Sequence, residues 1–174
     1  MLATSEKNPD RFVLRLNPEL YEAISTQAEH NNRSINGEIC TALDSWLYQY
    51  DQLMLVKNRV AQAADEHTAE RIMSDAPVFP LGRENGECKI VVRLKDSQRD
   101  DLKSRVEQYK GQIGGFTSQN AYAQMVLVWW LTFNYELREF SKSLYQALST
   151  SRPCSSHPRA HQYPEHSFQQ LRIA

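Results

Sequence analysis

The chain has 174 residues, 41 % of them apolar and 24 % charged, with a formal net charge of −1. That length holds one ordinary domain or two small ones, and that composition supports a core and excludes wholesale disorder. Near-neutral charge also excludes a uniformly basic surface of the kind that binds nucleic acid indiscriminately.

The first residues, Met1-Leu2-Ala3-Thr4-Ser5-Glu6-Lys7, have no basic stretch leading into an apolar run, so no secretory signal is expected. The longest apolar stretch, residues 125–131, falls far short of the roughly 20 residues that cross a bilayer. Cys40, Cys88 and Cys154 are odd in number and widely spaced, which suits a reducing compartment better than a disulfide framework. A cytoplasmic protein with no membrane association is the expectation. Charge is unevenly placed: residues 1–16 carry +1 and residues 88–116 carry +3, whereas residues 17–50 carry −4 and residues 51–87 carry −3.

The two basic places resemble each other. Arg11-Phe12-Val13-Leu14-Arg15-Leu16 and Lys89-Ile90-Val91-Val92-Arg93-Leu94 match position for position. Both alternate strictly, which predicts short strands with Phe12, Leu14 and Leu16, or Ile90, Val92 and Leu94, facing a core. The opposite faces carry a basic residue, a valine and an arginine in each case, suited to something negatively charged.

After the first strand, Asn17-Pro18-Glu19 has the composition of a helix start, with a cap, a proline at the first position and an acid in the first turn. Leu20, Ile24 and Ala28 continue a helical stripe until His30-Asn31-Asn32-Arg33 predicts a turn. Ser34 then caps a second helix with Ile35, Ile39, Leu43, Trp46, Leu47, Tyr50, Leu53 and Met54 on its apolar side. No proline stands between Pro18 and Pro77, so this helix is expected to run past Tyr50 to about Ser74, with or without a break. Residues 75–87, with two prolines and two glycines, form a linker.

The same plan follows the second strand. Asp96 or Ser97 is expected to cap a helix, and Ser97 with Asp100 has capping-box spacing. Leu102, Val106 and Tyr109 face inward, Gly111 to Gly115 break the helix, and Thr117 or Ser118 opens a long final helix rich in aromatic residues. The loop before it is longer than its earlier counterpart. The run 125–131 is apolar all round, which implies burial on more than one side.

Residues 11–47 resemble the ribbon-helix-helix DNA-binding domain of the Arc and Mnt phage repressors. The resemblance rests on the basic strand, Pro18, and above all the octad Asn32-Arg33-Ser34-Ile35-Asn36-Gly37-Glu38-Ile39. It extends more loosely to residues 89–133, and two such units in one chain are similar to the TraY proteins of conjugative plasmids. The implied fold is mostly α: two tandem ribbon-helix-helix units whose short strands pair into an antiparallel β-ribbon, as an obligate dimer or an internal pseudo-dimer. Pairing is required because a lone strand has two open edges, and an isologous homodimer is the commoner solution. The expected divisions are a DNA-binding unit at 1–50, a helical extension and linker at 51–87, a second unit at 88–148 and a structureless tail at 149–174.

The resemblance implies that the ribbon enters the major groove and that Arg11, Val13, Arg15, Lys89, Val91 and Arg93 meet base edges. The valines depart from the amide residue often found at the middle position in this family. It further implies phosphate contacts at the N-termini of the second helices, at Ser34, Ile35 and Asn36 and at Thr117, Ser118 and Gln119, where unpaired amides and the helix dipole favour an anion.

The expected function is sequence-specific recognition of double-stranded DNA by a transcriptional repressor of phage or plasmid type. The alternatives are a relaxosome accessory protein like TraY, or an antitoxin whose second half holds a protein partner. No enzyme, cofactor or metal is expected. Gly111 to Gly115 lack the Lys-Ser/Thr of a phosphate loop, His30 and His67 suit an exposed surface, and Asp65-Glu66 and Asp100-Asp101 suit solvated helix faces. Cys154, His157, His161 and His166 lack the companion spacing of a zinc module.

Overall fold

The alternating strands need partners for their edges, and they find each other. In a computed structural model of the protein, which describes residues 11–81, 86–110 and 118–150, β1 (Arg11–Leu16) pairs antiparallel with β2 (Cys88–Arg93) of the same chain. Of the two arrangements left open by the sequence this is the internal one, so the ribbon needs no second chain to complete it. Leu14, Leu16, Val92 and Leu94 are buried beneath it, with Phe12 and Ile90 packed at the margin of the core.

The register carries a symmetry. Val13 lies opposite Val91, Arg11 opposite Arg93, and Arg15 opposite Lys89. Residues at matching positions of the two strands therefore exchange places about an axis through the valine pair.

Four helices follow the predicted plan, with one more between the halves. α1 (Pro18–His30) starts where Asn17 Oδ1 accepts from Leu20 N at 2.7 Å, and it buries Leu20, Ile24 and Ala28. Its end is set by Asn32, whose φ of 52° is tolerated by asparagine better than by most residues. α2 (Ile35–Ala63) is capped by Ser34, whose Oγ accepts from Gly37 N at 3.0 Å. The predicted helical stretch to Ser74 does break, at Ala64-Asp65, because Asp65 accepts from Thr68 N at 2.9 Å and caps a new helix, α3 (Glu66–Ser74). Those bonds also hold the Asp65 carboxyl below its ordinary range.

α4 (Asp96–Tyr109) starts differently from expectation. Lys95 occupies the cap position rather than Asp96 or Ser97, and the reciprocal bond comes from Gln98, whose Oε1 accepts from Lys95 N at 2.9 Å. Gln98 takes this role because its amide also donates to Asp44 on α2 at 2.6 Å, which secures a buried side chain at both ends. α5 (Gln119–Thr150) opens at Ser118, whose Oγ accepts from Ala121 N at 3.2 Å, and it continues past Leu148 into the start of the expected tail. Ser34 and Ser118 are thus equivalent caps of the two long helices. Residues 111–115, where the sequence predicts a helix break, lie outside the described residues, as does the tail from 151 onward.

One core serves both halves. It joins Leu14, Leu16, Leu20, Ile24, Ile39 and Leu43 to Val92, Leu102, Val106, Tyr122, Val126 and Leu127. α5 contacts α1, α2, α3, α4 and β1, which explains its apolar circumference. Two indole bonds tie α2 to α5 reciprocally: Trp46 Nε1 donates to Tyr122 Oη at 2.7 Å, and Trp130 Nε1 donates to Glu38 Oε1 at 2.8 Å. Glu38 is fully buried and also accepts from Asn31 Nδ2 at 2.8 Å and Arg33 Nη1 at 3.0 Å, so its charge is compensated. Farther along, Lys57 Nζ meets Glu136 Oε2 at 2.8 Å and secures the second half of α2 to α5. The linker is packed where it is described: Phe79 lies against the core and Pro80 O accepts from Asn17 Nδ2. No described helix is long and apolar enough to cross a membrane.

Candidate nucleic-acid interface

Alternation sends every second strand residue away from the core, and the ribbon's outer face is what remains. Val13 and Val91 are 42 % and 52 % exposed at its centre. Arg11, Lys89 and Arg93 are exposed and Arg15 is half-exposed, so the four predicted basic readers stand on one surface around the valine pair. The core does not need these side chains. An acidic residue joins them: Glu87 Oε1 lies 3.2 Å from Arg15 Nε and 3.5 Å from Lys89 Nζ.

The flanks of the ribbon are closed by residues from the second helices. Arg15 N donates to Asn120 Oδ1 at 2.7 Å, and Asn120 Nδ2 and Gln124 Nε2 donate to Arg15 O at 3.1 and 2.7 Å. On the other flank, Arg93 N donates to Asn36 Oδ1 at 3.0 Å and Cys40 Sγ donates to Arg93 O at 3.4 Å. Burial, aided by Asp44, pushes the Cys40 thiol up and keeps it a donor, with Lys95 opposing. Each helix N-terminus is therefore latched to the strand of the opposite half. Strand edges that would otherwise recruit another chain are satisfied at these points.

This geometry gives one short segment two tasks. Ser34 and Ser118 cap their helices, while the backbone amides at Ile35 and Asn36, and at Gln119 and Asn120, belong to first turns that have no intrahelical acceptor for them. Such amides suit phosphate, and the asparagine side chains fix their position relative to the two strands. Thr117 lies outside the described residues, as do Cys154, His157, His161 and His166.

The sequence marks Asn36 as a phosphate contact and gives no sign of its side chain as a strand latch. Asn120, Gln124, Cys40 and Glu87 are missing from the expected site. A signal for two of them is present: Asn120 and Gln124 follow Ser118 at the same spacing at which Asn36 and Cys40 follow Ser34. That correspondence emerges only when the serine caps, rather than the strands, are aligned.

Residues 6–52 match the family model described as Arc-like DNA binding domain, a span reaching from just before β1 into α2. No curated protein and no solved structure matches the chain. Over residues 6–52 the chain is therefore similar to Arc-like DNA-binding domains, which are of the ribbon-helix-helix type.

Proposed function

We propose that this protein is a sequence-specific binder of double-stranded DNA that acts in the cytoplasm as a transcriptional repressor, laying the β1–β2 ribbon in the major groove over an operator. The observation that carries this reading is the ribbon's outer face, where Arg11, Arg15, Lys89 and Arg93 surround an exposed valine pair that the core does not need. A two-stranded ribbon fits the major groove, arginine pairs bidentately with guanine, and valine meets a thymine methyl. Amides at Ile35, Asn36, Gln119 and Asn120, with their capping serines, would take flanking phosphates and set the register of the ribbon on the duplex. The mechanism is occupancy, with no catalytic step and no cofactor.

On this reading one chain supplies one complete ribbon. Self-association would add a second ribbon on a neighbouring subsite rather than complete the first. The two strand-helix-helix halves are read as tandem units, an arrangement that also favours a second role, as a relaxosome accessory protein like TraY. The antitoxin reading is weaker, because much of the aromatic surface of α5 is spent inside the chain: Tyr122, Trp130, Phe133 and Phe140 are buried.

Selection of bound sequences from a random duplex library at about 0.15 M salt, where surface charge is realistically screened, tests the proposal. The expected result is one short motif with a guanine preference, found near a promoter for a repressor or at a transfer origin for a relaxosome protein. Absence of any enrichment would overturn it.

A further inference from the structure

The ribbon is nearly symmetric in its cations and asymmetric in its acid, which makes the acid informative. At one end Arg11 faces Arg93, and among the described residues no carboxylate pairs with either. At the other end Arg15 faces Lys89, and Glu87 places a single oxygen within 3.2 Å of Arg15 Nε and 3.5 Å of Lys89 Nζ. Among the described residues, one end thus presents two cations without an acid, and the other presents two cations sharing one.

A carboxylate beside a phosphate backbone is repelled unless it is neutralised or accepts a bond from a base. Here it is neutralised by the two groups expected to touch DNA, and this neutralisation has a geometric effect. A guanidinium held at Nε has its two terminal nitrogens left as a fork of fixed orientation, the shape that matches guanine O6 and N7. The Arg15 and Glu87 side chains are 40 % and 24 % exposed, so their ion pair is partly sheltered from solvent, while the Lys89 side chain is 66 % exposed. Arg11 and Arg93 have no comparable restraint among the described residues and contribute charge more than direction.

We propose that Glu87 is a specificity-determining residue that makes the ribbon directional: it orients Arg15 to read guanine at one end of the site, while the Arg11/Arg93 end binds mainly by charge. The inference rests on the DNA-binding reading above. Its consequence is a non-palindromic site occupied in one orientation, despite a nearly two-fold protein surface.

The test is library selection with the full chain, run in parallel for the wild type, Glu87→Gln and Arg15→Lys. Arg15→Lys keeps the charge and removes the fork, so it tests the same contact without altering Glu87. The wild type is expected to select an asymmetric motif with a guanine preference of about tenfold at one end, as expected of a bidentate contact. Both variants should lose most of that preference and keep the remainder of the motif. A palindromic wild-type motif, or a guanine preference retained in either variant, would overturn the role of Glu87 and leave DNA recognition standing. No motif from the wild type would overturn DNA recognition itself, and this inference with it.

Discussion

The two halves of the molecule build the start of their long helix from different chemistry. In the first, Glu38 is buried at the start of α2 and gathers Asn31, Arg33 and the Trp130 indole. At the corresponding place in α5 stands Tyr122, which accepts from Trp46 and stacks on Tyr109 with ring centroids 6.2 Å apart. A buried carboxylate with three donors and a buried phenol among aromatic rings both serve as acceptors for a tryptophan from the opposite long helix. Backbone symmetry constrains where an acceptor must be, and leaves its identity open. The second half keeps Ser118 and Asn120 where the octad has Ser34 and Asn36, but carries Tyr122 in place of Glu38, and the Arc-like match covers the first half alone, at residues 6–52.

The largest effect is expected at Glu38. Glu38→Ala removes the shared acceptor of three donors and leaves the Trp130 indole without its partner, so we expect a loss of about 2–4 kcal/mol of stability in urea unfolding. Tyr122→Phe deletes one acceptor and keeps the ring, and its expected cost is about 1–2 kcal/mol. Equal costs would show that the polar and aromatic solutions are energetically interchangeable.

On the DNA side, Arg15→Ala and Arg93→Ala probe whether both strands contribute. Arg15→Ala is expected to weaken binding to the selected duplex by about 1–3 kcal/mol, the range for a base-contacting arginine, and Arg93→Ala by less, with a loss that fades as salt rises. Equal losses that persist at high salt would make Arg93 a base reader as well. The salt dependence of affinity, measured for both, separates lost phosphate charge from lost base readout.

The latches differ in strength as well. Asn120 holds both the amide and the carbonyl of Arg15, whereas the Asn36 side chain accepts from the amide of Arg93 alone. Asn120→Ala should therefore cost about 2 kcal/mol and Asn36→Ala about 1 kcal/mol, at roughly 1 kcal/mol per net hydrogen bond, as read by thermal or urea unfolding.

The smallest effect is a pH dependence. Burial raises the Cys40 thiol above its ordinary 9.0 and the Tyr122 phenol above its ordinary 10.0. Groups whose folded values are raised contribute stability that is complete below the ordinary value and lost as pH climbs through the folded one. Stability should hold steady below pH 9 with respect to these groups and fall above it, and Cys40→Ser should flatten the first part of that fall.

Much of this architecture is legible in the sequence. Period-two alternation identifies both strands, and Asn17-Pro18 and Ser34 identify helix starts, because these are local signals with a local cause. The intrachain pairing is not legible, since the same alternation serves a partner strand from either source. The helix break at Ala64-Asp65 is easily passed over because it uses neither glycine nor proline, although Asp65 ahead of Thr68 is a capping signal. Gln98, Asn120 and Glu87 are hidden for another reason. Each is defined by what it meets far along the chain, Asp44 for the first and Arg15 for the other two, and no periodicity records such meetings. Of the candidate interface, the outward-facing strand residues are readable and the groups that position them are not.

Cross-linking tests most directly whether β1 and β2 of one chain form the ribbon. Cysteines placed by Val13→Cys and Val91→Cys, in a chain whose native cysteines are replaced by serine, would stand opposite each other in the register. Directly opposed residues of an antiparallel pair have Cα atoms about 4.5–5.5 Å apart, within the range a disulfide spans. Mild oxidation followed by denaturing, non-reducing electrophoresis should give a bridge within one chain, migrating as a single 20.1 kDa species. A covalent dimer as the main product would contradict the internal pairing, because the ribbon would then be made by two chains.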